Sequence, residues 1–490
     1  MQKYEIGRIC GRWNNFLPPL QGGTFRKLPE PSSVMVEPDH DSASSSQSST
    51  PPGSPLFDTL RIDPDLEDLE TPYTRTRTAT SSISSASLEE TDRIGTEKEL
   101  SHRDIYTQKA LNLDLNKYPS LDHPTQDEIV RKYRLLYRTI ESEGLFDCNF
   151  SAYLQEICRY VLLFSIFLAA LYAGRFATSG LFLGMLWHQL VFTVHDAGHM
   201  GITHDFQTDT VIGIVIADFI GGLSLGWWKR NHNVHHIVTN SPEHDPDIEH
   251  MPFFAISHRF FDSLRSTYYD RIMSYDAMAR FMIRYQSYLY YPIMLFGRFN
   301  LYRLSWEFLI LGQGPRRGPA RWHRWLEIAG QVFFWFWFGY LVLYKSIPTT
   351  SGRLSFLLIS HMVTAPLHVQ ITLSHFAMST ADLGVNESFP QKMLRTTMDV
   401  DCPPWLDFFH GGLQHQAIHH LYPRIPRHNL RRTQKLVQAF CKEVGIPYAL
   451  YGFVDGNKEV ISKLAEVGRQ ARILAECQRT ITQDSTFGFH

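Results

Sequence analysis

The chain of 490 residues is short of the features that would assign it to several common classes. Its six cysteines (Cys10, Cys148, Cys158, Cys402, Cys441, Cys477) are scattered, with no Cys-x-x-Cys pair. That excludes a disulfide framework and a cysteine zinc site, and fits a reducing, cytosol-facing setting. Charge of one sign is lacking too: the net charge is −2, so nothing argues for a nucleic-acid partner. Met1 to Asn15 has no apolar stretch with a cleavage site behind it, so no cleaved signal peptide is expected. No internal repeat is visible.

Apolar residues are abundant but unevenly spread. The mean hydropathy of −0.20 resembles a soluble protein, yet it averages a polar N-terminal third with a strongly apolar middle. Residues 1–40 are polar and irregular. From 41 the chain is rich in Ser, Thr and Pro, with Ser44 to Pro55 nearly devoid of anything else. Such composition cannot bury enough apolar surface to offset chain entropy, so 41–117 is expected to be a disordered linker. A helix is expected over 125–142, with Thr125 and Glu128 as a capping box and Ile129, Tyr133, Leu136 and Ile140 on one face.

Apolar segments follow at 158–173, 178–194, 208–226, 329–346 and 354–372. A spanning helix needs about 20 largely apolar residues. Three histidine clusters flank these segments: His195-Asp-Ala-Gly-His199, His232-Asn-Val-His235-His236 and Gln416-Ala-Ile-His419-His420. If they build one site, they lie on one side of a membrane. Two segments separate the second cluster from the third, which fits. Only 208–226 separates the first from the second, so it is expected to be re-entrant or interfacial; its Gly221-Gly222 and internal Asp218 agree. The stretch 289–312, interrupted by Arg298, Arg303 and Glu307, reads as an interfacial helix. The expected fold is therefore an all-α integral membrane protein. The membrane domain covers 118–450: four transmembrane helices form two hairpins, and a helical cap carries the histidines. A C-terminal helical tail follows at 451–490, its helix placed at Val460–Cys477. The basic run from Arg316 to Arg324 puts the cap in the cytosol.

His195 and His199 stand one helical turn apart. His232, His235 and His236 have i, i+3, i+4 spacing and share a face, and Gln416, His419 and His420 repeat it. Imidazole is the commonest metal ligand and suits iron, copper and zinc. A single such pair is usually surface or satisfied core; three beside membrane boundaries point to one shared metal site. His204 and His244 fit no cluster and read as exposed or hydrogen-bonding residues. Asp196 reads as either an orienting group for a ligand or a surface carboxylate. His361 and His368, inside the last apolar segment, need partners but receive no role.

With Thr239-Asn240, Asp245-Pro-Asp-Ile248, Ser374-His375-Phe-Ala-Met378 and His419-His-Leu-Tyr-Pro-Arg424, the clusters resemble the three histidine boxes of membrane fatty-acid desaturases. Glutamine at the head of the third box resembles the front-end subgroup, and the whole most resembles fungal-type Δ8 sphingolipid desaturases over residues ~120–450. The resemblance implies an oxidoreductase reducing O2 to water. Two iron ions would be held by His195, His199, His232, His235, His236, His419 and His420, with His375 as a further ligand and Gln416 binding weakly or orienting a neighbour. It implies desaturation of a sphingoid long-chain base, electrons from cytochrome b5 and its NADH-dependent reductase, and an endoplasmic-reticulum membrane. A Δ5 or Δ6 acyl desaturase and a histidine-box hydroxylase are the alternatives. Front-end enzymes usually carry a haem-binding His-Pro-Gly-Gly, which this sequence lacks, and residues 1–40 resemble the segment that follows such a module. Haem is therefore expected only through a separate cytochrome b5. Phe333-Phe-Trp-Phe-Trp-Phe338 is expected mainly to face lipid, with part of it lining a substrate tunnel.

Overall fold

A computed structural model describes residues 102–487. The expectations for residues 1–40 and for the linker as far as 101 lie outside the described residues. The end of that linker is a helix instead: α1 covers His102–Lys117. Its Asp114 accepts from the buried guanidinium of Arg395 at 2.8 Å, a long-range partner that no local pattern announces.

Helix α2 (His123–Ser142) buries Ile129, Tyr133, Leu136 and Ile140 as the 3.6-residue period requires. Its cap is not Thr125, however. Asp122 accepts the Thr125 N–H at 3.0 Å, and Glu128 turns to Arg131 instead of the helix start. A carboxylate one turn ahead, followed by Pro124 at the first turn, supplies the stronger cap.

Among the described residues, four helices are long and apolar enough to cross a membrane. They are α3 (Phe150–Tyr172), α4 (Phe176–Gly198), α10 (His323–Phe334, continued by a wide turn to Ser346) and the joined pair α11 (Thr350–Met362) and α12 (Ala365–Phe376). Helix α4 is central. Gly180 and Gly184 bring its backbone against α11, where a Cβ would stand 2.8 Å from the Phe356 carbonyl and 2.5 Å from that of Ser360. Small residues at such spacing allow close helix approach where no hydrophobic drive exists between spans. Helix α3 is peripheral and exposes Leu154, Ile157, Val161, Leu162 and Leu168.

Between these, α5 (Phe206–Ile214) loosens into a wide turn over Val215–Ile220 and is followed by α6 (Leu225–Val238) after a bend of 119°. Ser224 caps α6 through the Trp227 N–H at 3.0 Å. A short antiparallel pair, β1 (Arg265–Ser266) and β2 (Arg271–Ile272), precedes α7 (Ala277–Arg284), α8 (Gln286–Met294) and α9 (Gly297–Ile310). The expected single helix over 289–312 is thus two, and Arg298 is buried, its guanidinium 4.0 Å over the Trp187 ring. Beyond the last span come α13 (Phe389–Thr396), β3 (Asp399–Asp401), α14 (Asp407–His410), α15 (Gln416–Leu421), α16 (Leu430–Val444) and β4 (Leu450–Gly452), which pairs in parallel with β3. The last helix, α17 (Phe453–Phe487), is much longer than the Val460–Cys477 expected; Val460, Leu464 and Val467 join a core with α7, α8 and α12. In the aromatic run, Phe334 and Phe338 are buried, while Phe333 and Phe336 are exposed.

Candidate metal centre

The three boxes sit on helix ends that converge. His195 occupies the last turn of α4 and His199 its C-cap. His232, His235 and His236 fall on the last turns of α6, His375 near the end of α12, and His419 and His420 in the six-residue α15. Two groups result, each with ligand nitrogens within 4.8 Å of one another: His195, His199, His232 and His419 form one, and His235, His375 and His420 the other. His236 lies between them. Its Nε2 is 3.1 Å from His232 Nε2, and its ring stacks on His420 at 4.3 Å. Gln416 begins α15 one turn before His419, buried, with its Oε1 unpartnered.

The donor set fits metal. Nε2 of His195, His199, His419 and His420 and Nδ1 of His236 and His375 are buried without a hydrogen-bond partner. Orphaned buried polar atoms are rare, and a converging set of imidazole nitrogens is a donor array that a metal ion would satisfy. Burial, reinforced by neighbouring imidazoles, holds His199, His236, His419 and His420 well below the usual histidine range, so they are neutral at neutral pH, the form that can bind a metal. His235 is the exception: burial disfavours its charge, but Asp245 and Asp247 outweigh it and raise its pKa. Against its own burial, Asp247 is held down at about 2 by His235 and His232.

A family model described as fatty acid desaturase matches residues 173–452, a stretch containing every one of these histidines. The chain belongs to the fatty acid desaturase family. It is also similar along its whole length to proteins named Delta 8-(E)-sphingolipid desaturase. That of Emericella nidulans is 63% identical over 490 residues, covering 100% of this chain and 87% of the relative. The Kluyveromyces lactis protein is 49% identical, covering 99% and 84%, and that of Candida albicans 46%, covering 97% and 86%.

Around the histidines of this desaturase stands a supporting layer only partly legible in sequence. Asp245 accepts from His235 Nδ1 at 2.8 Å, and Asp247 lies 3.4 Å from His232 Nδ1. Each contact turns the Nε2 of its ring toward the centre, as carboxylates behind metal-binding histidines do. The Asp245-Pro-Asp run is a visible signal, but sequence assigns it no role. Asn240 ties His375 O, at 2.9 Å, to Thr396 O. Trp228 stacks on His232 at 4.6 Å and meets His195 and His199 edge-on at 5.4 Å, roofing one side. A Cβ on Gly198 would run into that indole, so the last residue of α4 must be glycine for the roof to close.

Asp196 neither orients a ligand nor lies at the surface. It is buried in a network with Arg427 and Tyr153, and the same guanidinium binds Glu156 of α3. That network clamps the first box to α3 and to the loop after α15. His204 bonds Met200 O and Phe146 O, and His244 bonds Thr267 Oγ1, so both have ordinary structural partners. His361 stacks on Phe299 at 4.4 Å and meets Tyr302 OH at 3.2 Å.

Proposed function

We propose that this chain introduces a Δ8 double bond, with the E geometry of its named relatives, into the sphingoid long-chain base of a ceramide or glucosylceramide. The observation that carries the proposal is the pair of buried imidazole groups with unpartnered nitrogens, in a chain whose relatives bear that activity in their names. Two iron ions fit: His195, His199, His232 and His419 would hold one, His235, His375 and His420 the other, and His236 stands between. Bound there, iron would supply the oxygen chemistry needed to remove hydrogens from unactivated methylenes, with O2 ending as water and two electrons arriving through cytochrome b5 and its NADH-dependent reductase.

The chain's own residues prepare the site. Asp245 and Asp247 fix the tautomers of His235 and His232. Burial keeps His199, His236, His419 and His420 uncharged and available. Trp228 excludes water from one side, which protects a reactive centre from side reactions. The four apolar helices are read as two hairpins, with the bent α5–α6 pair re-entrant, so that all boxes share the cytosolic side of the endoplasmic reticulum membrane. Parity supports this reading: one full crossing between the first two boxes would separate His199 from His232, whose rings lie 5.0 Å apart.

The test is mass spectrometry of long-chain bases and acyl chains in a host without Δ8-unsaturated bases, expressing the chain with and without added cytochrome b5. A new Δ8 base supports the reading. A new acyl double bond moves it to a fatty-acyl front-end enzyme, and a hydroxylated product to a hydroxylase. No new lipid in either arm refutes it.

A further inference from the structure

Three elements that deliver ligand histidines also carry buried polar groups with nothing to bond. On α12, both amide atoms of Gln370 and the hydroxyl of Ser374 are unpartnered. On α4, the same holds for His188 Nε2; in the stretch entering α15, for both ring nitrogens of His415 and for Gln416 Oε1. Their residues are only 3%, 0%, 4%, 2% and 4% exposed, in the order Gln370, Ser374, His188, His415, Gln416. The carboxylate nearest His415, Asp399, is 3.9 Å from its Nδ1, beyond hydrogen-bond reach.

The elements that carry these groups meet. Leu367, Gln370 and Ser374 lie on one face of α12. Leu367 packs on Phe192 of α4 and on Leu413, and α12 packs on the turn 413–415. His188 precedes Phe192 by one turn, meeting its ring edge-on at 5.1 Å and stacking on Phe409 at 5.1 Å. His410 is within electrostatic reach of both His188 and His415. Each wall then runs on into the metal centre. His195 follows His188 two turns along the same face of α4, Ser374 adjoins His375, and Gln416 starts the turn that ends in His419.

Buried polar groups inside a membrane span are costly, and where no internal partner exists they mark a ligand path. An alkyl chain would satisfy none of these. A glutamine amide offers donor and acceptor side by side, the complement of a secondary amide. Imidazole and serine hydroxyl serve a hydroxyl in either role. Leu367, Phe192 and Leu413 supply the apolar flank.

We propose that this seam between α4, α12 and residues 410–416 binds the polar end of an N-acylated amino alcohol, with Gln370 taking the amide and His188 a neighbouring hydroxyl. The site rests on the Δ8 sphingolipid reading and deepens it. An amide anchored in the seam fixes how far along the alkyl chain the histidines act, so the double bond is counted from the polar end.

Binding is measured on the full-length, iron-loaded protein in lipid nanodiscs, without reductant so that nothing turns over. The probes are a short-chain ceramide and a fatty alcohol of matched length with neither amide nor second hydroxyl. Gln370→Leu should weaken the ceramide at least tenfold and leave the alcohol unchanged, with parental iron content. Gln370→Asn should recover part of the loss, and His188→Phe should weaken the ceramide to a smaller degree. Unchanged ceramide affinity in both Gln370→Leu and His188→Phe overturns the proposal and leaves the seam a water-filled one, as does equal weakening of both probes. If one variant loses iron, the other decides. A parent that makes no Δ8 base defeats the function reading; a parent that makes it, with variants that discriminate as it does, defeats only the seam.

Discussion

Replacing Asp245 by asparagine changes one atom at the back of the second histidine group, and the structure sets what that should cost. Asp245 is fully buried and accepts three N–H groups: His235 Nδ1 at 2.8 Å and the Asn240 backbone at 2.8 Å on Oδ2, and the Asp247 backbone at 2.9 Å on Oδ1. Asparagine has one accepting oxygen. Its better orientation keeps that oxygen toward His235 and Asn240, and turns the NH2 against the Asp247 N–H. One buried donor is then stranded, at roughly 1–3 kcal/mol, and the bond to His235 loses its charge assistance, for a total near 2–4 kcal/mol. The imidazole also loses the carboxylate that raises its basicity, so metal affinity and turnover should fall about 10–100-fold. Iron per protein, measured after dialysis against a graded chelator, together with product lipid at equal expression, reads the effect. Asp245→Asn with full iron retention and parental product would refute the claim that this carboxylate orients His235.

Three further outcomes follow from the same geometry. Gly198→Ala should displace Trp228 from His232 and lower iron retention with little change in the helical signal of circular dichroism, because only the roof must move. Arg427→Met strands Asp196 and Glu156 as buried carboxylates, so it should destabilise by about 3–5 kcal/mol, read as a lower melting temperature; adding Asp196→Asn and Glu156→Gln should restore much of it. Glu249 is buried with both oxygens unpartnered, and burial, helped by Asp245, pushes its pKa up to about 7. Its folded pKa exceeds the unfolded one, so the folded state holds the extra proton between the two values, and stability drops as pH rises through about 7. Glu249→Gln should therefore raise the melting temperature at pH 8 and much less at pH 5; equal shifts at both would sink the assignment.

The apolar cores of the four long helices were legible because hydropathy is a local property. Their starts were not. Helix α3 begins eight residues before its apolar segment because Tyr153 and Glu156, which look polar in sequence, are met by Arg427 from the far end of the chain. The same holds for α10, where Glu327 accepts from Ser224 Oγ and from the Gly226 N–H at 3.0 Å, so a carboxylate that reads as a boundary is interior. Helix α1 was lost for the same reason: it is polar over most of its length, and its Asp114 finds Arg395 only in the folded chain.

The histidines divide along the same line. Boxes at i, i+3, i+4 are visible because one helical face carries them, and the structure brings those side chains into two groups. What a local pattern cannot say is which box feeds which group. The second box splits, His232 going with the first box and His235 with His375 and His420. The split follows from α6 itself: His232 and His235 are three positions apart, nearly one turn, so their nitrogens reach different ends of an elongated site, and His236 fills the space between. Each of the two then has its own carboxylate, Asp247 for His232 and Asp245 for His235. The alternating Asp-Pro-Asp after the His-x-x-His-His box thus gives each of the two histidine groups a carboxylate of its own. A single-metal site would need only one of those carboxylates, and removing either alone should loosen one group before the other.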